Sequence, residues 1–90
     1  MGLRMLALDT LRAMVREIIP ESDVEVADLT GGLDHFEVTV VSPRFEGKSL
    51  VERHQMIQGP LRPAIEDGRI HALSLKTYTP DQWRKKLRGA

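Results

Sequence analysis

The chain holds three histidines and no cysteine. It can form no disulfide and offers no thiolate nucleophile or ligand, which leaves imidazole as its neutral nitrogen donor. Metal, pH or proton chemistry therefore starts from His35, His54 and His71. Two of these fall in one run, Val40 to Trp83: His54 directly after Arg53, and His71 within Ile70-His71-Ala72-Leu73. The same run carries a Phe45-x-Gly47 turn and a helix-start signal at Thr79-Pro80. His35 stands at the edge of a short loop, Thr30-Gly31-Gly32-Leu33-Asp34-His35. Ser42, Ser49 and Ser74 raise the question of an enzyme. No Gly-x-Ser-x-Gly elbow, His-Glu-x-x-His pair or phosphate-binding glycine loop accompanies them, so independent catalysis is not expected.

These side chains must be positioned by a small body. The 90 residues make one domain spanning 1–90. A chain of this size buries roughly 60–65% of its unfolded surface, enough for one modest core and no deep cofactor cavity. A cofactor shared with a partner is compatible with that limit. No apolar run approaches the ~18 residues of a membrane span, and no signal-peptide pattern opens the sequence. The absence of cysteine fits a reducing compartment. Net charge is zero but unevenly placed: residues 1–41 sum to −5 and the remainder to +5. The second half can face an anionic partner, or the two halves can attract each other within one fold.

Ala7, Leu11, Met14, Val15 and Ile18 recur at helical spacing, and Pro20 ends that helix. Asp23 to Leu29 alternates as a half-buried strand, and Thr30 to Asp34 forms a turn. His35 to Val41 is a second strand with Phe36, Val38 and Val40 on one face, closing an antiparallel hairpin. Ser42-Pro43 starts a short turn. Ser49-x-x-Glu52 has capping-box spacing, so a second helix begins near Leu50. Gly59-Pro60 and Pro63 predict a break near Gln58 and a further turn to Asp67. Arg69 to Thr77 reads as a third strand, parallel to the second after a helical crossover. Thr79-Pro80-Asp81-Gln82 caps a last helix that carries Trp83 and Leu87 towards the core. The expected fold is α+β, a three-stranded mixed sheet packed by helices in the order αββαβα.

The blocks Val40-Val41-Ser42-Pro43-Arg44-Phe45-Glu46-Gly47, Arg53-His54-Gln55-Met56, Ile70-His71-Ala72-Leu73 and Thr77-Tyr78-Thr79-Pro80 resemble the BolA family in order and spacing. The resemblance covers nearly the whole chain. It implies a type II KH-like fold and a partner, a monothiol glutaredoxin with a Cys-Gly-Phe-Ser motif. The pair would share a [2Fe–2S] cluster with glutathione, acting in iron homeostasis or cluster trafficking. A cytoplasmic setting is expected, or a plastid or mitochondrial matrix in a eukaryote. Histidine in place of cysteine raises a cluster's potential, and binding requires the imidazole deprotonated.

His71 matches the family's C-terminal cluster ligand. The second family ligand lies in the loop between the first two strands. There Leu33 occupies the position of the family's cysteine, His35 is the nearest imidazole, and Asp34 is a weaker candidate because carboxylates suit harder metals. Arg53, His54 and Lys48 are candidate partner contacts, with His54 alternatively bracing the Phe45-x-Gly47 turn. The family also includes DNA-binding regulators, for which Arg44, Lys48 and Arg53 are the candidate contacts, with the Arg84-Lys85-Lys86 cluster behind them. The missing Gly-x-x-Gly loop, the four aromatics and the zero net charge weigh against a phosphate-driven binder. A second copy of the chain is a further candidate partner.

Overall fold

The structure, a computed structural model, describes residues 7–89. The elements run α1 (Leu8–Ile18), β1 (Asp23–Asp28), β2 (His35–Val41), a 3-10 turn (Pro43–Phe45), α2 (Leu50–Glu66), β3 (Ala72–Tyr78) and α3 (Pro80–Gly89). This is the expected α+β order. The sheet order is β1-β2-β3, with β2 in the centre. β1 runs antiparallel to β2, from Asp23↔Val41 to Asp28↔Phe36. β3 runs parallel to β2, from His35↔Ala72 to Val41↔Tyr78.

The core follows from the two periodicities. Every second residue of β2 faces inward, and Phe36, Val38 and Val40 are buried. Leu11 and Val15 come from α1, and Ile57, Leu61 and Ala64 from α2; both sets recur at helical spacing. Phe45 closes the core from the 3-10 turn, and Ser42 caps that turn by accepting the Arg44 amide at 3.1 Å. Ala7, expected within the α1 stripe, is instead the exposed N-cap.

Three expectations are corrected. The second helix does not break near Gln58: α2 is continuous through Pro60 and Pro63. Each proline removes one intrahelical donor. Both lie on the exposed side, where water can serve the freed carbonyls, while Ile57, Leu61 and Ala64 hold the opposite face in the core. Sustained burial outweighs local propensity here.

The third strand begins at Ala72, not Arg69. The Ile70 amide donates to the Ala64 carbonyl at 3.0 Å. That bond turns Ile70 into the core, where it is buried, so 69–71 is a connector. Finally, Leu87 is 59% exposed and does not reach the core. The capping box that starts α3 forms as expected, with the Gln82 amide donating to Thr79 Oγ1 at 3.2 Å and the Thr79 amide to Gln82 Oε1 at 2.9 Å. Half-buried Trp83 then packs on Tyr78, ring centroids 5.1 Å apart. That contact ties down the start of α3, and Leu87 projects beyond it.

Candidate functional site

The β1–β2 loop is built around a carboxylate at the end of β1. Asp28 Oδ1 accepts the amides of Thr30 at 3.3 Å and Gly31 at 3.0 Å, and Oδ2 accepts that of Leu33 at 3.1 Å. With these donors turned inward, β1 stops at Asp28 and leaves Leu29 58% exposed, one residue short of the expected end. Gly31 takes φ +81°, which glycine adopts freely. Leu33 takes φ +57°, a left-handed conformation costing a side-chain-bearing residue about 1–2 kcal/mol.

Asp34 fastens this loop to the connector before β3. Its carbonyl accepts the amides of both His71 (3.1 Å) and Ala72 (3.0 Å). Its carboxylate accepts Thr30 Oγ1 at 2.6 Å. That hydrogen bond, aided by the nearby His35 and His71 and opposed by burial, holds the Asp34 carboxyl below the usual carboxylate range.

The result brings His35 and His71 together. His35 is the first residue of β2, and His71 immediately precedes Ala72, its partner across the parallel ladder. Their rings stack with centroids 5.3 Å apart and planes 16° from parallel. His71 is exposed and His35 half-buried. Among the described residues no group of three or more His, Cys, Asp or Glu side chains could hold a metal ion.

The donor set would suit one end of a cluster shared with a partner. Imidazole suits iron, and any thiolate must come from a partner because this chain has none. An imidazole lone pair lies in its ring plane. Two near-parallel planes one stack apart do not converge on one ion, so this geometry offers one histidine as donor with the other supporting it. The more exposed His71 is the better placed.

The remaining candidates lie at the other end of α2. His54 is in its second turn, twelve residues before Glu66, or about 18 Å along the axis. The histidine pair is therefore His35–His71, and His54 stands apart. His54 is half-buried. Among the described residues its imidazole makes no hydrogen bond to the Phe45-x-Gly47 turn, contrary to the bracing role expected.

Arg53 takes that role. It falls in phase with Ile57, Leu61 and Ala64 and is only 6% exposed. Its Nε donates to the Lys48 carbonyl at 3.0 Å and its Nη1 to Gln82 Oε1 at 2.9 Å. The guanidinium also lies over the Phe45 ring, 5.7 Å from the centroid. Arg53 is thus an internal strut and not a solvated cation, which corrects its reading as a surface contact for a partner or for nucleic acid. Arg44 and Lys48 remain exposed, without Arg53 beside them to extend a basic patch.

Two signals for these roles stand in the sequence. Asp28, directly before Leu29-Thr30-Gly31-Gly32, has the placement of a loop-organising carboxylate. Arg53 occupies an apolar phase of its helix. The groove lined by Gln58, Arg62, Ile65 and Glu66 on α2 contains no histidine and is separate from the site.

Comparison with known proteins agrees with this architecture. The family described as BolA-like protein matches residues 8–82. The chain is 44% identical over 63 residues to the acid stress protein IbaG of Escherichia coli, covering 68% of this chain and 75% of that one. It is 41% identical over 85 residues to BolA-like protein 2 of Mus musculus, covering 92% and 96% respectively. The solution structure of yeast Fra2 superposes with a TM-score of 0.72 at 32% identity, covering 89% of this chain and 86% of Fra2. With the expected element order, the mixed sheet and a family match spanning α1 to the start of α3, the chain belongs to the BolA-like family.

Proposed function

We propose that this chain is a histidine-donating accessory protein. It binds a monothiol glutaredoxin of the Cys-Gly-Phe-Ser type and shares a [2Fe–2S] cluster with it and glutathione, in iron homeostasis or cluster trafficking. One observation carries this reading: two imidazoles stack at 5.3 Å at the end of the sheet, one of them exposed, in a chain without cysteine. The family resemblance supplies the identity of the partner. The chain's own contribution is a nitrogen ligand, which raises a cluster's potential relative to thiolate. His71 donates, and His35 stacks against it and limits its ring motion. Lys48, exposed beside the Arg53 strut, and half-buried His54 are secondary candidates for contact with the partner.

The test is reconstitution with a Cys-Gly-Phe-Ser glutaredoxin, comparing wild type, His35→Ala and His71→Ala by visible absorption and circular dichroism. The wild-type heterodimer gives a spectrum distinct from the glutaredoxin homodimer. His71→Ala reverts it towards the homodimer spectrum, and His35→Ala shortens cluster lifetime with a smaller spectral change. A His71→Ala complex with unchanged spectrum and lifetime overturns the assignment.

A further inference from the structure

We propose that Asp28, which touches neither imidazole, is the positioning residue that preforms the histidine pair; the inference rests on the reading of His71 and His35 as the cluster-facing side chains. Asp28 is fixed by the sheet, since it pairs with Phe36 in the β1–β2 ladder. From there its carboxylate gathers the amides of Thr30, Gly31 and Leu33, spanning half the loop between β1 and β2. A carboxylate makes stronger bonds to backbone amides than a neutral acceptor does. Its bond to the Leu33 amide, at 3.1 Å, offsets the left-handed conformation that Leu33 would otherwise leave.

The next residue, Asp34, presents the carbonyl that receives both the His71 and Ala72 amides. At the other side of the loop the Leu29 amide donates to the His35 carbonyl at 2.9 Å. The chain of contacts is therefore short: Asp28 sets Leu33, Leu33 sets Asp34, and the Asp34 carbonyl sets His71 beside His35. Without the Asp28 carboxylate the loop amides turn to water. The Asp34 carbonyl then loses its fixed place, and the stack loses its registry before any partner binds.

The experiment uses the full chain as Asp28→Ala and Asp28→Asn, read by NMR alone and by cluster lifetime in complex with the glutaredoxin. In Asp28→Ala, the nuclear Overhauser contacts between the His35 and His71 rings disappear and exchange of the Leu33 amide accelerates. The amides of Glu25, in the β1–β2 ladder, and Val38, in the β2–β3 ladder, stay protected, which shows the sheet intact. Cluster lifetime falls about tenfold, in line with the loss of an outer-shell orienting group. Asp28→Asn keeps one acceptor oxygen and weakens the ring contacts in proportion to the release of the Leu33 amide. It decides the matter if Asp28→Ala loses Glu25 and Val38 protection. Ring contacts that persist while the Leu33 amide exchanges freely overturn the proposal. A wild-type complex with no His71-dependent spectrum instead overturns the cluster reading, while the ring contacts and amide exchange still decide the role of Asp28.

Discussion

The two ends of α2 solve opposite problems with similar means. At its N-terminal end a charged side chain is buried: Arg53, 6% exposed, is satisfied by the Lys48 carbonyl, Gln82 and the Phe45 ring. Beyond its C-terminal end, His71 is left at the surface and its backbone is held instead, through the Asp34 carbonyl. In the first case the side chain serves the fold. In the second the fold serves the side chain. Most polar residues that make a fold are buried and paired, whereas a residue that ligates a metal must keep a lone pair free. Arg53 thus belongs to the architecture, and under the proposed function His71 belongs to the chemistry.

The sharpest way to break this contrast is at Arg53. Arg53→Ala strands the Lys48 carbonyl, leaves Gln82 Oε1 with the Thr79 amide as its remaining donor, and removes the contact over Phe45. Hydrogen bonds from a charged donor are worth about 1.5–3 kcal/mol each, and Gln82 can turn partly to water, so the expected loss is about 3 kcal/mol. For a domain of this size that corresponds to roughly 12–24 °C in Tm. Arg53→Lys does not restore it, because one ammonium cannot replace a planar fork serving two acceptors. At a temperature where the variant is folded, the His35–His71 ring contacts are unchanged. A thermal melt indistinguishable from wild type, or a disturbed histidine stack, would collapse the distinction between the two ends.

A smaller effect separates the two ends by pH. Ser49 and Glu52 form a reciprocal capping box at the start of α2, with bonds of 3.1 and 2.8 Å. The Ser49 amide, and then its hydroxyl, hold the Glu52 carboxyl below its usual range. A carboxyl depressed on folding stabilises the protein above its unfolded value and loses that contribution as pH falls through the folded value. Asp34 behaves with the same sign at the histidine end, its main partner being Thr30. Ser49→Ala is expected to cost about 1 kcal/mol near neutral pH. Glu52→Gln should flatten the acid limb of Tm against pH without moving the histidine stack. Thr30→Val should flatten it too, and also loosen the loop. Melts and ring contacts recorded between pH 7 and 3 test both, and identical acid limbs for all three proteins would refute the linkage.

The sequence made much of this contrast legible, and the misses share a cause. Strict alternation in His35–Val41 and the 3.6-residue recurrence of Leu11 and Val15 announced β2 and α1, because one face of each is buried. The capping boxes at Ser49 and Thr79 were readable because their bonds span only three residues. What escaped depended on contacts distant in sequence. Pro60 and Pro63 signal a break locally, but the core contacts of Ile57, Leu61 and Ala64 carry α2 through them. Ile70 continues an alternating pattern, yet its bond to Ala64 withdraws it from the strand. Arg53 looked like surface charge because its partner Gln82 lies 29 residues away. At the site, His35 and His71 could be named singly, but the ladder pairing His35 with Ala72 brings them together.

The smallest expected effect lies in the sheet, near the arginine end. Thr77 pairs with Val40 in the parallel ladder and is 6% exposed. It follows the alternation of Leu73 and Leu75, which pack against the core. Its Oγ1 is buried with no hydrogen-bond partner among the described residues. This is the opposite of Arg53, whose polar atoms find acceptors in the same layer of the fold. An unpaired buried hydroxyl carries a desolvation cost, and an apolar group of similar shape removes it. Thr77→Val is therefore expected to stabilise the protein by about 0.5–1 kcal/mol, raising Tm by roughly 2–8 °C. Thr77→Ser keeps the hydroxyl, loses a methyl group, and should destabilise. If Thr77→Val instead lowers Tm, the hydroxyl has a bound partner, and the rule that this end of the molecule pairs its buried polar groups extends to Thr77 as well.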